Sequence, residues 1–196
     1  SGQPLEGVEA TNGGVTAISD KDGKITLTLE NTAVAKGSVA LSKAGYRSES
    51  ISLSEDPAKP TKAALVLARK AVFVSRQNNN YNVYKSDVDG KNREVLLTGT
   101  GHENSNITLV TNQDGTRAAY VSTRDNKRDA SGFLLSSLVL INVETGNTVT
   151  IAEAAQIQLI DWIGSRLVFQ LGSSSAATED RYTIISYDYN NNTRVQ

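Results

Sequence analysis

An aromatic residue at the centre of a short apolar run recurs three times along the chain, and no other feature restricts the fold as much. The three copies read AVFVS at 71–75, AAYVS at 118–122 and LVFQL at 167–171. The aromatic positions are Phe73, Tyr120 and Phe169, so successive copies are separated by just under fifty residues. A repeat of that length predicts a row of similar structural units rather than one irregular domain.

The middle copy is complete and contains four short runs. Their sequences are ITLVT at 107–111, AAYVS at 118–122, LVLINV at 138–143 and TVTI at 148–151. Short runs of Val, Ile, Leu and Thr between Gly, Asn and Asp are typical of strands rather than helices. LVLINV is apolar at nearly every position, which predicts a strand covered on both faces.

Four strands in a repeat of this length are typical of one blade of a β-propeller. QDGTR at 113–117, followed by AYVS at 119–122, resembles a motif of TolB-type and WD-repeat-like propellers, and VFVSR at 72–76 resembles its second half. The resemblance covers about residues 69–196 and implies about two and a half four-stranded blades. It also implies that the three repeated aromatic side chains are buried between neighbouring blades.

Residues 1–68 carry a different pattern. The matching residues are Gly2, Pro4, Leu5, Gly7 and Val8, then SDKDGK at 19–24 with Leu27, then Gly45, Tyr46, Ile51 and Leu53. In this order they resemble a carboxypeptidase regulatory-like domain, a small transthyretin-like β-sandwich. The strand that usually opens that family is absent here, and Ile25 stands where the family usually has Phe.

Apolar and polar residues alternate over 25–29, which predicts a half-buried strand there. The segment 54–61, SEDPAKPT, marks the boundary region because its two prolines interrupt regular structure. Residues 62–69 could form the last strand of the sandwich or a tether into the first blade, and the sequence leaves both readings open. No stretch predicts a convincing helix. The chain is therefore predicted to be all-β, a small β-sandwich followed by about two and a half four-stranded propeller-like blades.

Charge and residue usage exclude several kinds of partner. The net charge is -1 and no basic block is present, which argues against a nucleic-acid surface. No apolar run is long enough for a membrane span. Cys is absent, so thiolate chemistry and disulfides are excluded. Met is also absent, even at position 1, which predicts a processed or shortened chain.

Catalytic and metal signals are weak, and we predict no enzyme activity, no cofactor and no metal site. His102 is the only histidine, and no nucleophile elbow accompanies it. Two Asp-x-Asp-Gly stretches, at 20–23 and 87–90, superficially resemble the start of a calcium loop. Both fall between strand-like runs without the continuation that a calcium loop needs, so turns are the favoured interpretation.

Two asparagine clusters, at 78–80 and 190–192, fall where strands should connect. Turn formation explains them, although nearby tyrosines (Tyr81, Tyr84, Tyr187 and Tyr189) would also suit a surface glycan. Trp162 is interpreted as a residue that packs between blades.

The most charged insertion, at 123–133, is the candidate interaction loop. The candidate residues are Arg124, Asp125, Asn126, Lys127, Arg128 and Asp129. Long polar loops on a propeller should be exposed to solvent and are where such folds carry recognition.

The favoured function is a non-enzymatic extracellular or cell-envelope interaction protein, because both resembled families are common in exported bacterial proteins. In this reading the sandwich is a spacer or adhesion module, and the propeller binds a protein partner or a surface glycan. One alternative is the accessory propeller of a larger prolyl-oligopeptidase-like hydrolase. Another is a surface-filament subunit that self-associates by strand donation at unpaired strand edges.

Overall fold

Every regular element of the described residues is a β-strand. The computed structural model describes residues 2–29, 37–54, 56, 59–78, 80–173 and 181–196. Within these ranges no helix is present, and so none could cross a membrane. The chain divides into two compact units, Ser1–Arg69 and Lys70–Gln196. The all-β fold class predicted from the sequence is thus confirmed.

The first unit contains one four-stranded antiparallel sheet in the order β2-β1-β3-β4. Its strands are β1 (Glu9–Asn12), β2 (Val15–Ile18), β3 (Ser38–Ser42) and β4 (Glu49–Ser52). Four side chains form the buried core on one face, namely Val8, Ala10, Val39 and Leu41. The alternating burial along β3 follows from the two-residue period of a strand, as the apolar residues point to one face.

The strand predicted over residues 25–29 is not formed. Ile25 and Leu27 pack against the core of the first unit while Thr26 and Thr28 are exposed, so the predicted alternation is present. However, residues 24–29 make no strand ladder. Alternation fixes the direction of side chains but does not supply a hydrogen-bonding neighbour. The described residues of the first unit form one sheet, and the predicted sandwich is not confirmed.

Residues 62–69 belong to the first unit. The backbone N–H of Arg47 donates to the carbonyl of Val66 at 2.8 Å, and that of Ala68 donates to the carbonyl of Gly45 at 2.9 Å. Leu67 forms an isolated bridge with Tyr46. The segment is therefore held to the rest of the first unit by a single β-bridge and two backbone hydrogen bonds, and it is neither a full strand nor a free tether.

The second unit contains three antiparallel sheets, which we call sheets I, II and III. Sheet I comprises β5 (Lys70–Gln77), β6 (Asn80–Asp87) and β7 (Glu94–Leu97). Sheet II comprises β8 (Thr108–Thr111), β9 (Arg117–Ser122), β10 (Ser136–Asn142) and β11 (Thr148–Ala154). Sheet III comprises β12 (Gln156–Ile163), β13 (Arg166–Gly172), β14 (Tyr182–Asp188) and β15 (Thr193–Val195). In each sheet, strands that follow one another along the chain are neighbours, as expected for propeller-like blades.

The register confirms the sequence repeat. Phe73 pairs with Tyr84 in sheet I, Tyr120 with Val139 in sheet II, and Phe169 with Ile185 in sheet III. Strands β5, β9 and β13 are therefore equivalent, and sheet I has no counterpart of β8 or β12 among its strands.

Burial of the repeated aromatic residues is confirmed at two of the three positions. Tyr120 is 1% exposed in the core between sheets I and II, and Phe169 is fully buried between sheets II and III. Phe73 is only half-buried, so the prediction is wrong there. Tyr120 and Phe169 lie on the side of their sheets that faces the preceding sheet, whereas in the described residues of the second unit no sheet comes before sheet I. Phe73 instead stacks on Tyr84 at 5.7 Å, with the Arg93 guanidinium 5.1 Å from its ring.

Sheet II is covered on both faces, as its apolar central strand predicted. Leu138 and Leu140 of β10 lie in the core shared with sheet III, whereas Val139 and Ile141 lie in the core shared with sheet I. A strand with neighbours on both sides has no polar face to expose, which explains the unbroken apolar run.

The two Asp-Gly turns form as predicted. The Asp20 carboxylate accepts hydrogen bonds from the backbone N–H of Asp22 and of Lys24, both at 2.9 Å, and Gly23 adopts a φ of +70°. The Asp87 carboxylate accepts from the Lys70 ammonium at 2.7 Å and from the Asn92 amide at 2.6 Å. Both carboxylates are thus used to hold their own turns and strands.

Candidate functional site

The base of the candidate interaction loop is fastened to the connection between β7 and β8. The Thr100 hydroxyl donates to the carbonyl of Arg124 at 2.6 Å, and Nη2 of Arg124 donates to the carbonyl of Thr98 at 3.1 Å. The Thr123 hydroxyl donates to the carbonyl of His102 at 2.8 Å. These contacts join two loops that are more than twenty residues apart in sequence, so the base of the loop has a defined position.

Beyond this base the loop folds into a small hairpin. The backbone N–H of Leu135 donates to the carbonyl of Lys127 at 2.8 Å, and that of Asp129 donates to the carbonyl of Phe133 at 2.9 Å. The Asp129 carboxylate accepts from the backbone N–H of Ser131 and of Phe133, both at 2.9 Å. An aspartate that bonds two amides in this way holds a tight turn.

The side of this hairpin is tied to β11 of sheet II. The Lys127 ammonium donates to the Glu153 carboxylate and forms an ion pair with it. The hydrogen bond that Lys127 donates to Glu153 raises the pKa of Lys127 above its ordinary value, because it stabilises the charged ammonium. At the start of the loop, the Ser137 hydroxyl donates to the Asp125 carboxylate at 2.6 Å.

These contacts divide the six predicted residues into two groups. Arg124, Asp125 and Asp129 are half-buried and have structural roles in the loop. Asn126, Lys127 and Arg128 are exposed, and Asn126 occupies a turn with a φ of 51°. The structure adds Phe133 at the end of the hairpin, whose side chain is 57% exposed.

A cleft lies beside the hairpin, where the ends of β11 and β13 meet the beginning of β14. Its larger part has a volume of about 370 Å³ and is lined by Asp129, Glu153, Arg181, Arg194 and neighbouring apolar residues. An adjoining part of about 310 Å³ is lined by Phe133, Gln156, Ser173, Arg181 and Tyr182. We refer to both parts together as the hairpin cleft.

The aromatic walls of the hairpin cleft are exposed. Phe133 is 57% and Tyr182 53% exposed, although both are large side chains. Gly172 also lines the cleft, and a Cβ atom there would lie 3.0 Å from Gln156 Cβ and 3.2 Å from Tyr182 Cε1. A side chain at position 172 would therefore push Gln156 or Tyr182 aside by a few tenths of an ångström.

The hairpin cleft carries groups of both charge signs beside these aromatic side chains. Such a surface can stack on a planar group and hydrogen-bond to polar groups of a ligand. In the described part of the chain, no cluster of three or more His, Cys, Asp or Glu side chains could hold a metal ion. The residues of the hairpin cleft thus suit binding.

Among the described residues, no carboxylate forms a hydrogen bond with the His102 imidazole. The side chain of His102 is exposed, and its carbonyl is engaged by Thr123. The Glu103 carboxylate next to it accepts the backbone N–H of Thr100 at 2.8 Å and of Gly101 at 2.9 Å. That carboxylate holds a loop turn and does not orient the imidazole.

The asparagine clusters lie at connections between strands, as predicted, although Asn80 is already the first residue of β6. Asn78 and Asn192 adopt φ values of 49° and 53°, whereas Asn79 lies outside the described residues. The Tyr187 hydroxyl donates to the Asn192 side chain at 2.9 Å. Tyr84 and Tyr187 are buried, so neither offers a face to a surface glycan. Trp162 packs against the core between sheets II and III, with its ring 6.0 Å from that of Tyr189.

The sequence did not single out Phe133, Gln156 or Tyr182. The available signal was an aromatic residue directly after the polar loop, in DASGF at 129–133. Tyr182 gave no signal of its own, because an aromatic residue at the start of a strand is ordinary.

Comparison with known proteins finds two solved structures of low similarity. No known protein family matches the sequence, and no curated protein is similar to it. A structure of an oligogalacturonate lyase in complex with manganese is 13% identical over 92% of this chain, with a TM-score of 0.38. The structure of the tricorn protease is also 13% identical over 92% of this chain, with a TM-score of 0.22.

This chain spans 41% of the first and 23% of the second. Identities and TM-scores this low give no basis for transferring either activity. Residues 70–196 form an antiparallel assembly of propeller-like sheets.

Proposed function

We propose that the chain is a non-enzymatic binding module that acts outside the cell or in the cell envelope. Its propeller-like sheets form a platform, and the hairpin cleft receives a protein partner or a surface glycan. The location rests on the resemblance of both parts of the sequence to families of exported proteins.

The observation that supports this proposal is a pair of exposed aromatic side chains whose backbone is held by a hydrogen-bonded turn and by a strand. Phe133 is held by the turn around Asp129, and Tyr182 opens β14 beside Gly172. Aromatic residues with restricted conformations contribute strongly to recognition, because little conformational entropy is lost when a ligand binds.

The polar residues around this pair favour a ligand that is itself partly polar. Gln156 and Arg181 line the same part of the cleft as the two aromatic rings. An amide and a guanidinium can hydrogen-bond to peptide groups or to sugar hydroxyls. The described residues that line the cleft include no histidine or cysteine, so binding rather than catalysis is proposed.

The experiment is a screen of two defined probe sets, a panel of neutral and acidic oligosaccharides and a displayed library of random peptides. Ligands that bind the full chain are then titrated against Tyr182→Ala and Phe133→Ala. Val149→Ala is the matched control, since Val149 is 50% exposed on β11 and does not line the cleft.

Loss of an anchoring aromatic side chain should weaken binding at least tenfold, whereas the control should bind like the parent chain. If a ligand binds all three variants with equal affinity, its binding site lies outside the hairpin cleft. A screen without any ligand in either probe set would contradict the proposal.

A further inference from the structure

Two arginines line the larger part of the hairpin cleft, and both are exposed. Arg181 directly precedes β14, and its carbonyl accepts the backbone N–H of Ser173 at 2.9 Å. Arg194 lies in β15, with its guanidinium 6.0 Å from the ring centre of Phe169. Because Phe169 packs against sheet II and Glu153 of β11 lines the same part, this part of the cleft lies between sheets II and III.

The two carboxylates that line the same part are already engaged within the chain. Glu153 accepts a hydrogen bond from the Lys127 ammonium and pairs with its charge. Asp129 accepts the backbone N–H groups of Ser131 and Phe133, both at 2.9 Å. Both carboxylates therefore hold the hairpin, and neither forms an ion pair with an arginine of the cleft.

Arg181 and Arg194 have no such polar partner among the described residues. The arginine side chains of the second unit that donate hydrogen bonds or form ion pairs are others, namely Arg117, Arg124, Arg128 and Arg166. Together with Lys127, Arg181 and Arg194 set three positive charges against two carboxylates around this part of the cleft. A guanidinium has five N–H donors and no acceptor, so this excess of positive charge favours an anionic ligand.

The shape of a guanidinium and the apolar lining of the cleft favour a carboxylate. A planar guanidinium donates two parallel N–H bonds to a carboxylate, and such charge-assisted pairs are among the strongest hydrogen bonds in proteins. This part of the cleft has a volume of about 370 Å³, and Leu135, Leu171 and Ile185 line it together with the two arginines. The single charge of a carboxylate matches the excess of one positive charge, whereas a phosphate group would bring about 1.5 to 2 negative charges.

We propose that the larger part of the hairpin cleft binds the carboxylate of an acidic ligand through Arg181 and Arg194, while the carbon frame of that ligand lies on the apolar lining. The inference rests on the proposed binding function and adds the charge of the ligand to it. An acidic sugar and an acidic side chain of a peptide both supply this chemical group.

Matched probes test the charge and identify its source. Glucuronate-containing oligosaccharides are titrated against the full chain beside twins whose carboxylates are reduced to alcohols, and glutamate-containing peptides beside twins that carry glutamine. In one of the two sets the acidic probes should bind about tenfold more tightly than their neutral twins, because a hydrogen bond to a charged group contributes more than one to a neutral group. Added salt should weaken binding of the acidic probes more than binding of the twins.

Arginine variants place the contact. Arg181→Gln and Arg194→Gln each remove one charge from the cleft, and each should reduce the preference for the acidic probe at unchanged melting temperature. Arg181→Lys keeps the charge but not the planar fork, so it should bind the acidic probe more tightly than Arg181→Gln does. Arg69→Gln is the matched control, because it removes the same charge from an exposed position in the first unit and should bind like the parent chain.

The outcomes separate this inference from the proposed function. Neutral twins that bind as tightly as the acidic probes, and that Tyr182→Ala weakens, would overturn the carboxylate site and leave the hairpin cleft as a binding site. A preference for acid that survives both glutamine substitutions would also overturn it, as would tighter binding of a phosphorylated peptide than of its glutamate counterpart. If no probe of either set binds, both the inference and the proposed function are wrong.

Discussion

Phe169→Ala should destabilise the second unit far more than Phe73→Ala, although the two residues occupy equivalent positions in the repeat. Phe169 is fully buried between sheets II and III, and removing a buried phenylalanine side chain costs about 3–5 kcal/mol. Phe73 is half-buried and already contacts solvent beside Arg93, so its loss should cost about half as much, roughly 1.5–2.5 kcal/mol.

Urea unfolding followed by tryptophan fluorescence measures this difference. Trp162 is the only tryptophan and packs against the same core as Phe169, so its emission reports on the second unit. With an m-value of about 2 kcal/mol/M, Phe169→Ala should lower the midpoint by about 2 M and Phe73→Ala by about 1 M. Equal losses at the two positions would refute the assignment of Phe73 to an uncovered side of sheet I.

Four further predictions concern single residues. Gly172→Ala should cost about 1 kcal/mol and weaken ligand binding in the hairpin cleft, because the new Cβ must displace Gln156 or Tyr182; urea unfolding and a ligand titration check this. Hydrogen bonds from the Thr116 hydroxyl and amide lower the pKa of Asp114 in the folded chain below 3.8. The ionised Asp114 carboxylate therefore stabilises the fold above pH 3.8, and this contribution is lost as the pH falls through the pKa of the folded chain. Melting temperatures below that pH should therefore change less for Asp114→Asn than for the parent chain. Burial raises the pKa of Tyr120 above 10.0, so the parent chain should lose stability as the pH rises past that value, and Tyr120→Phe should reduce this alkaline loss in thermal melts. Peptide and ester substrates should not be turned over, and any turnover that His102→Ala abolishes would contradict the proposed non-enzymatic role.

The repeated sheets could be predicted because their signal is periodic. Side chains along a strand alternate between its two faces with a period of two residues, and the four-stranded unit recurs about every fifty residues. Both periods are visible in a single sequence. The equivalence of Phe73, Tyr120 and Phe169 follows from this, as does the doubly covered strand around Leu138.

The degree of burial at each copy could not be predicted in the same way. It depends on whether another sheet lies against that side, as one does at Tyr120 but not at Phe73. The prediction of a strand over residues 25–29 was wrong for a related reason. Alternation of Ile25 and Leu27 with threonines does not show which strand would pair with this segment.

The sequence identified the loop beside the hairpin cleft but not the rest of the cleft. Asp129 lies in the charged insertion that the sequence identified, but Gln156 and Tyr182 come from two other strands. Residues so far apart in the chain meet only when sheets II and III pack together. No local sequence motif predicts such a contact, and a search for charged residues does not identify Phe133 or Tyr182.

Hydrogen exchange of the full chain, with and without the tightest ligand from the two probe sets, tests the proposed binding site most directly. Backbone amides protected by the ligand should cluster in the segments that line the hairpin cleft, at 129–135, 153–156, 172–173 and 181–183. The amides around His102 and those of β8 should exchange at unchanged rates. Protection that appears on β8 or in the first unit, with none in the hairpin cleft, would contradict the account.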